Sequence, residues 1–143
     1  MNAAVLARRL DRDCSSFRRR LAVLADYRLM FNKMSLSDPL VGYANVMPAP
    51  GHRVEGILND LDDVGLARLD AIELVPHHYT RSLVAVCDVM NATLISAEIY
   101  TAHPAWIRDG LRPLRSYLDC LTGGGDLLTN DYMMPLRGVA CRD

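Results

Sequence analysis

Two neighbouring strand candidates separated by a short turn set the strongest limit on the fold of this chain. Residues 82–89 alternate between apolar and polar and are rich in β-branched side chains, and residues 93–102 form a second candidate. Asn91-Ala92 lies between them. Alternation is typical of a strand with one buried face, and the short separation predicts an antiparallel hairpin.

Further strands are predicted in the first half of the chain. Candidates cover residues 27–31, 41–46 and 53–58, and the segment Pro48-Ala49-Pro50-Gly51 between the last two is a turn signal. Gly56 lies inside the third candidate, where a glycine suggests a bulge or the close approach of a ligand or another backbone.

Short helices are predicted between and after these strands. Asn2 is a candidate cap for an N-terminal helix, and Asp62 and Asp63 suit the start of a helix over residues 60–69. Pro113 is expected to open one of the last helices, which ends at Gly123-Gly124-Gly125. Thr129 or Asn130 is expected to cap a final short helix that runs through Leu136. No regular β-α-β alternation occurs, so the prediction is an α+β fold in a single domain over residues 1–143.

The charge balance limits the classes of partner. The chain has 16 basic and 17 acidic residues, so no global positive field argues for nucleic acid. No apolar run approaches the ~20 residues that a membrane span needs, and no signal peptide is recognisable. Lys33 is the only lysine, which we attribute to genome composition and not to function.

The cysteines and histidines carry no strong site signature. No CxxC pair occurs among the four cysteines, so we expect reduced thiols and a cytoplasmic protein; they are Cys14, Cys87, Cys120 and Cys141. The adjacent pair His77-His78 would point to opposite faces of a strand, and neither His52 nor His103 has a partner at ligand spacing. We predict no metal site. A Cys–His nucleophile pair stays open, although no cysteine has a local motif for one.

Glu73 is the acidic residue with the most suggestive surroundings. It lies in the sequence Ala71-Ile72-Glu73-Leu74-Val75. Apolar neighbours disfavour the charged form of a carboxylate, which lets it take up and return a proton near neutral pH. A surface glutamate in a loop is the alternative interpretation. Glu98 and Glu55 are predicted to face outward from their strands.

A series of short motifs gives a more specific indication. In chain order they are YRLMFN (27–32), ANVMP (44–48), PGHRVEGIL (50–58), LARLDAIE (66–73), YTR (79–81), GLRP (110–113), YLD (117–119) and DY (131–132). This ordered set resembles the γ-glutamylcyclotransferase-like family and spans nearly the whole chain. The resemblance implies a small mixed β-barrel flanked by short helices.

The same resemblance implies an activity and a set of site residues. Members of the family are transferase- or lyase-type enzymes of glutathione metabolism. The chain is expected to release 5-oxoproline from a γ-glutamyl amino acid or amine without a cofactor. Glu73 matches the family's catalytic glutamate, and the substrate-binding residues are expected to be Tyr79, Tyr117, Gly56 and Asn45.

Three departures from the family pattern keep other interpretations open. Leu74 and Leu114 replace a glycine and a serine of the motifs, and the first residues resemble those that follow a family strand and loop ending in YGSN. Either the natural start lies upstream or this is a member without that loop. A non-catalytic small-molecule-binding or regulatory domain is therefore one alternative, and a relative acting on a γ-glutamyl amine or carrier-bound group is another. A missing strand would leave an unpaired edge, so the expected state is a monomer or a homodimer formed through that edge.

Overall fold

The computed structural model describes residues 3–13, 18–123 and 127–143. Within those ranges the elements are, in order, α1 (Ala3–Leu10), β1 (Arg19–Met34), β2 (Gly42–Asn59), α2 (Asp63–Ile72), β3 (Tyr79–Asp88), β4 (Thr93–Ala102), the 3-10 turn Pro104–Trp106, α3 (Arg115–Thr122) and α4 (Asn130–Arg137). The expected cap Asn2, the thiol of Cys14 and the glycines Gly124 and Gly125 lie outside the described residues.

The four strands form one antiparallel sheet in the order β2-β1-β3-β4. Together with the short helices this confirms the predicted α+β class. The sheet is open, so the closed barrel implied by the resemblance is not what these strands form. The predicted hairpin is confirmed, because β3 and β4 pair along their whole length from Tyr79↔Ala102 to Asp88↔Thr93.

The two hairpins of the sheet share backbone pairing at one corner only. β1 and β3 pair at Ala22↔Asp88 and Val23↔Cys87 and nowhere else in the described residues. At the opposite end of the sheet a side chain makes a further link, because the Ala102 N–H at the end of β4 donates to Asn45 Oδ1 on β2 at 2.8 Å. The candidate site described below lies at this second end.

Two apolar clusters stabilise these elements. One covers a face of the sheet and is built on Ala22, Leu24, Val54 and Val86. The other joins α1 to α2 through Leu6, Ala7, Leu10 and Leu69. The spacing of three and four residues along α1 places its apolar side chains on one face, which packs against α2. Because α1 packs on α2, Arg9, which lies beside Leu10 in α1, is brought to the end of α2.

β2 is one long strand where two short ones were predicted. It runs from Gly42 to Asn59, and the pairing with β1 shifts register between Ala25 and Tyr27. Asp26 and Gly51 both have positive φ there, 60° and 79°, and the Gly51 N–H donates to Asp26 Oδ1 at 2.9 Å. The turn signal around Pro48–Gly51 therefore marks an irregularity within a continuous hairpin, and the strand resumes beyond it.

Two expectations for the second half of β2, an outward Glu55 and a bulge at Gly56, were wrong. Glu55 is 6% exposed, because its carboxylate accepts hydrogen bonds from the Thr129 N–H at 2.8 Å and the Thr129 hydroxyl at 2.7 Å. It faces the start of α4 and not solvent. Gly56 pairs in regular register with Ala22, and no atom lies within 4 Å of where a Cβ would stand. Gly56 therefore forms no bulge and has no other backbone close to it, and the approach of a ligand to it stays a prediction.

The helix ends follow their predicted capping residues. Asp62 accepts a hydrogen bond from the Gly65 N–H at 2.8 Å at the start of α2, and Thr129 accepts one from the Tyr132 N–H at 3.3 Å at the start of α4. Each side chain satisfies an N–H that has no partner within its helix. Among the described residues, none of the helices has the length and apolar character to cross a membrane.

Candidate active site

Glu73 lies where α2 ends and the chain turns towards β3. Its backbone N–H donates to the Leu69 carbonyl at 2.8 Å and so closes the last turn of the helix. The next residue, Leu74, has a φ of 54°, which stops the helix and redirects the chain. The side chain of Glu73 is 20% exposed. The carboxylate therefore lies near the surface. Its backbone is held by the hydrogen bond to Leu69 on one side and by the turn at Leu74 on the other.

An arginine, and not an apolar pocket, faces the Glu73 carboxylate. Arg9 Nη1 lies 2.8 Å from Glu73 Oε1. The apolar neighbours in sequence, Ile72 and Leu74, are exposed to solvent. The expectation that Glu73 is surrounded by apolar side chains is wrong, because α1 packs against α2 and brings a cation to it. The second oxygen, Oε2, has no hydrogen-bond partner in the described part of the chain.

Two tyrosines named from the sequence converge on one peptide unit of β2. The Tyr79 hydroxyl donates to the Ala44 carbonyl at 3.2 Å, and the Ala44 N–H donates to the Tyr117 hydroxyl oxygen at 3.2 Å. Burial raises the pKa of both phenols, and the negative charge of Glu73 raises both further. Glu73, Tyr79 and Tyr117 therefore belong to one electrostatic site, and both tyrosines are neutral at physiological pH.

A buried lysine completes the site. Lys33, near the end of β1, is 4% exposed, and its Nζ lies 3.3 Å from His78 Nδ1. Three aromatic rings surround the ammonium, with centroids at 5.0 Å for Trp106, 5.5 Å for Tyr79 and 5.8 Å for Tyr43. Burial lowers the pKa of Lys33, and the charge of Glu73 opposes that shift. The lysine and the glutamate thus act on each other within one site.

The histidine beside Lys33 is held in place by stacking. The His78 and Trp106 rings are stacked, with centroids 3.9 Å apart and planes inclined by 25°. Burial lowers the pKa of His78, and the positive charge of Lys33 lowers it further. The imidazole is therefore neutral near pH 7 and offers a lone pair to the ammonium.

A second polar network ties the end of α2 to the sheet. Asp70, one turn before Glu73, accepts a hydrogen bond from the Tyr100 hydroxyl at 2.7 Å and pairs with Arg81 Nε at 3.0 Å. Arg81 also pairs with Glu98 at 3.0 Å. Glu98 is exposed, as predicted, and takes no part in the site around Glu73. The network fixes the position of Glu73 relative to β3 and β4.

Of the other two residues named from the sequence, Asn45 adjoins this cluster but uses its amide inside the protein, and Gly56 lies elsewhere on β2. Asn45 is 3% exposed, and its amide is used inside the protein: Nδ2 donates to Asn32 Oδ1 at 3.0 Å, and Oδ1 accepts from the Ala102 N–H. Gly56 lines an apolar cavity of about 90 Å³ between β2 and the C-terminal helices, together with residues such as Leu29 and Tyr132. That cavity contains the Tyr132 phenol, but no lysine or arginine lines it.

The remaining metal-ligand residue types are dispersed. In the described residues no three His, Cys, Asp or Glu side chains are close enough together to hold an ion. His77 is exposed, whereas its neighbour His78 contacts Lys33, so the two histidines do serve different surroundings.

Arg9 and Lys33, the two cations described above, were not predicted as site residues from the sequence. Arg9 had no visible signal, because only the packing of α1 on α2 brings it to Glu73. Lys33 did have one: it is the single lysine in a chain whose other basic residues are all arginine. This single lysine is buried among three aromatic rings.

Comparisons with known protein families and solved structures cover most of the chain. The family model described as "Gamma-glutamyl cyclotransferase, AIG2-like" matches residues 4–118. A solved structure described as "Gamma-glutamyl cyclotransferase" superposes with a TM-score of 0.84 at 20% identity, covering 99% of this chain and 83% of its own. No curated protein sequence matches the chain.

Two further solved structures share the fold. An uncharacterized protein from Homo sapiens superposes with a TM-score of 0.78 at 22% identity, covering 90% of this chain and 78% of its own. A protein from Arabidopsis thaliana, solved in solution, reaches a TM-score of 0.55 at 25% identity and covers 71% of this chain and 56% of its own.

Proposed function

This chain belongs to the gamma-glutamyl cyclotransferase, AIG2-like family, and on that premise we propose that it cyclises a γ-glutamyl amino acid or amine to release 5-oxoproline. Glu73 is the general base and acid of this reaction. The observation that carries the proposal is that Glu73, which matches the family's motif, is held through Oε1 by Arg9 at 2.8 Å and keeps Oε2 without a partner in the described residues, while Tyr79 and Tyr117 both bond the Ala44 peptide.

The proposed reaction needs only one proton carrier. Glu73 Oε2 removes a proton from the substrate α-ammonium, and the freed amine nitrogen attacks the γ-carbonyl carbon. A carbon–nitrogen bond forms within the glutamyl group, and the bond to the leaving amine breaks as Glu73 returns the proton to that nitrogen. Glu73 then passes the second proton of the attacking nitrogen to the leaving amine, so the products are a neutral lactam and an ammonium. The two reacting groups belong to one molecule, so a folded substrate conformation supplies much of the acceleration.

Arg9 and the tyrosines have distinct roles in this scheme. Arg9 holds Oε1 at 2.8 Å and leaves Oε2 for the substrate. The Tyr117 hydroxyl accepts a hydrogen bond from Ala44, so its own proton has no acceptor in the described residues and is available to the γ-carbonyl oxygen as charge develops there. Tyr79 donates its hydroxyl proton to the Ala44 carbonyl, so in this scheme it lines the substrate site and donates no hydrogen bond to the substrate.

The decisive experiment compares two carboxylate variants on a panel of γ-glutamyl amino acids and amines. Glu73→Gln should lower 5-oxoproline formation at least ~100-fold, because general acid–base groups contribute about that much or more. Asp109→Asn is the matched control, since it removes an exposed carboxylate from the segment before α3, outside the network that positions Glu73, and should leave the rate within about twofold. A Glu73→Gln protein that forms 5-oxoproline at the wild-type rate would refute the assignment.

One observation favours a second candidate function, a non-catalytic domain that binds a small molecule. Arg9 already occupies an oxygen of Glu73, so the carboxylate has a counter-ion in the absence of substrate. If this second function is correct, the wild-type protein forms no 5-oxoproline from any compound of the panel, and Arg9→Gln does not create the activity.

A further inference from the structure

Lys33 is a buried cation whose surroundings do not neutralise it. It is 4% exposed, and removing an ammonium from water is costly unless a counter-ion and hydrogen-bond acceptors replace the water. In the described residues it forms no ion pair, and its one hydrogen-bond partner is the neutral His78 ring at 3.3 Å. Three aromatic faces add attraction but no charge.

The ammonium therefore has unused hydrogen-bonding capacity. A lysine carries three N–H donors, and His78 Nδ1 takes one of them. Glu73 acts on Lys33 through its charge, but no hydrogen bond joins the two. An anion in contact with Nζ would supply the missing acceptors and the missing charge together.

We propose that Lys33 binds the α-carboxylate of the γ-glutamyl group. This inference rests on the proposed function and adds how the substrate is oriented. The α-carbon of the substrate carries an ammonium and a carboxylate. Glu73 is the anion of the site and Lys33 its buried cation, so each meets the substrate group of opposite sign. With the carboxylate on Lys33, the α-amine is directed to Glu73.

Lys33 fits this role better than Arg9 does. The Arg9 side chain is 38% exposed and is already paired with Glu73, so water weakens its attraction for a second anion. An ammonium is also compact, which suits a cage of three rings, whereas a planar guanidinium is larger and favours flat two-point contacts. This explains why an otherwise arginine-based chain has a lysine at this one position.

The single lysine allows a direct test without any substitution. Protein made with ¹³Cε-labelled lysine gives one side-chain NMR signal, that of Lys33. Titration with 5-oxoproline should shift this signal to saturation. 2-Pyrrolidinone has the same ring without the carboxylate and should leave it in place. Equal shifts with both compounds, or no shift with 5-oxoproline, would overturn the proposal.

Variants give the second readout. Lys33→Met should weaken binding of 5-oxoproline about tenfold or more, which is the scale of one lost charge-assisted hydrogen bond, and leave binding of 2-pyrrolidinone unchanged. Arg53→Met is the matched control, because Arg53 is exposed on β2 and the same net charge is lost. Equal weakening in both variants would overturn the carboxylate subsite. If Lys33→Met does not fold, the labelled lysine decides.

The outcomes separate this inference from the proposed function. Glu73→Gln should lose turnover yet still show the Lys33 shift with 5-oxoproline. A protein that forms no 5-oxoproline from γ-glutamyl compounds but binds it through Lys33 would refute the reaction and retain the subsite. A protein that turns over at the same rate and the same KM after Lys33→Met would retain the reaction and refute the subsite.

Discussion

Replacement of Asn45 by alanine is expected to destabilise the protein strongly, although the family resemblance places this residue in substrate binding. Asn45 is 3% exposed and joins three strands. Its Nδ2 donates to Asn32 on β1 at 3.0 Å, and its Oδ1 accepts from the Ala102 N–H on β4 at 2.8 Å. Alanine would leave both partners buried without a hydrogen bond.

The magnitude follows from those two partners. A buried polar group left unsatisfied costs about 1–3 kcal/mol, so loss of both contacts should lower the free energy of unfolding by about 2–5 kcal/mol. Asn59→Ala is the matched control. Asn59 Oδ1 is buried without a partner, and its Nδ2 makes only a local contact with the Ile57 carbonyl at 3.1 Å, so we expect a change within about 1 kcal/mol.

Urea denaturation followed by circular dichroism measures both variants. The change in the free energy of unfolding is calculated from the shift of the urea midpoint, with the m-value of each variant compared with that of the wild type. A double-mutant cycle of Asn45→Ala with Asn32→Ala should show coupling of about 0.5 kcal/mol or more, because the two side chains share a hydrogen bond. If Asn45→Ala were as stable as Asn59→Ala and instead raised KM, the structural role argued here would be refuted and a substrate contact favoured.

Three further predictions concern other parts of the molecule. Thr129→Val removes the hydroxyl that donates to Glu55 and caps α4. Urea denaturation should show that the free energy of unfolding falls by about 1–3 kcal/mol. Thr93→Val, at an exposed position, is the control and should change it little. Burial raises the pKa of Tyr132 to about 12, so the phenol contributes stability that is fully present below about pH 10 and lost as pH rises through 12. Absorbance at 295 nm should show tyrosine titration near pH 12 that is smaller by one phenol after Tyr132→Phe, and an unchanged signal would contradict the burial of this phenol. The pKa of His78 is lowered by burial first and by Lys33 second, so the stability that it contributes is present above about pH 6.5 and is lost as pH falls through its folded pKa. NMR titration should find that Lys33→Met raises this pKa only part of the way to 6.5, and an unchanged value would contradict the contact between the two side chains.

Elements fixed by local chemistry could be predicted from the sequence. The hairpin of β3 and β4 and the caps Asp62 and Thr129 depend on residues near one another in the chain, and all three are found. The position of Glu73 at the end of α2 could also be read, because the helix pattern stops there.

Features that depend on distant partners could not be predicted. Glu55 faces inward because Thr129, 74 residues away in the sequence, meets it. The cations around Glu73 come from α1 and β1, and no local pattern links either to α2. For the same reason the carboxylate was expected among apolar side chains: its neighbours in sequence are apolar, but they are exposed to solvent, and its neighbour in space is an arginine.

The single corner that joins the two hairpins has a consequence for how the protein assembles. Each hairpin pairs strands that are close in the chain, so each can form early with little loss of loop entropy. The β3–β4 hairpin is then held to β1 by two residue pairs and the Arg20–Asp88 ion pair at that corner, and to β2 by the Asn45 side chain and the Tyr79 hydroxyl. Lys33 lies on the first hairpin and Tyr79 on the second. We expect that a partial opening which releases the second hairpin dismantles the site while both hairpins persist, so loss of ligand binding on heating should precede loss of strand structure.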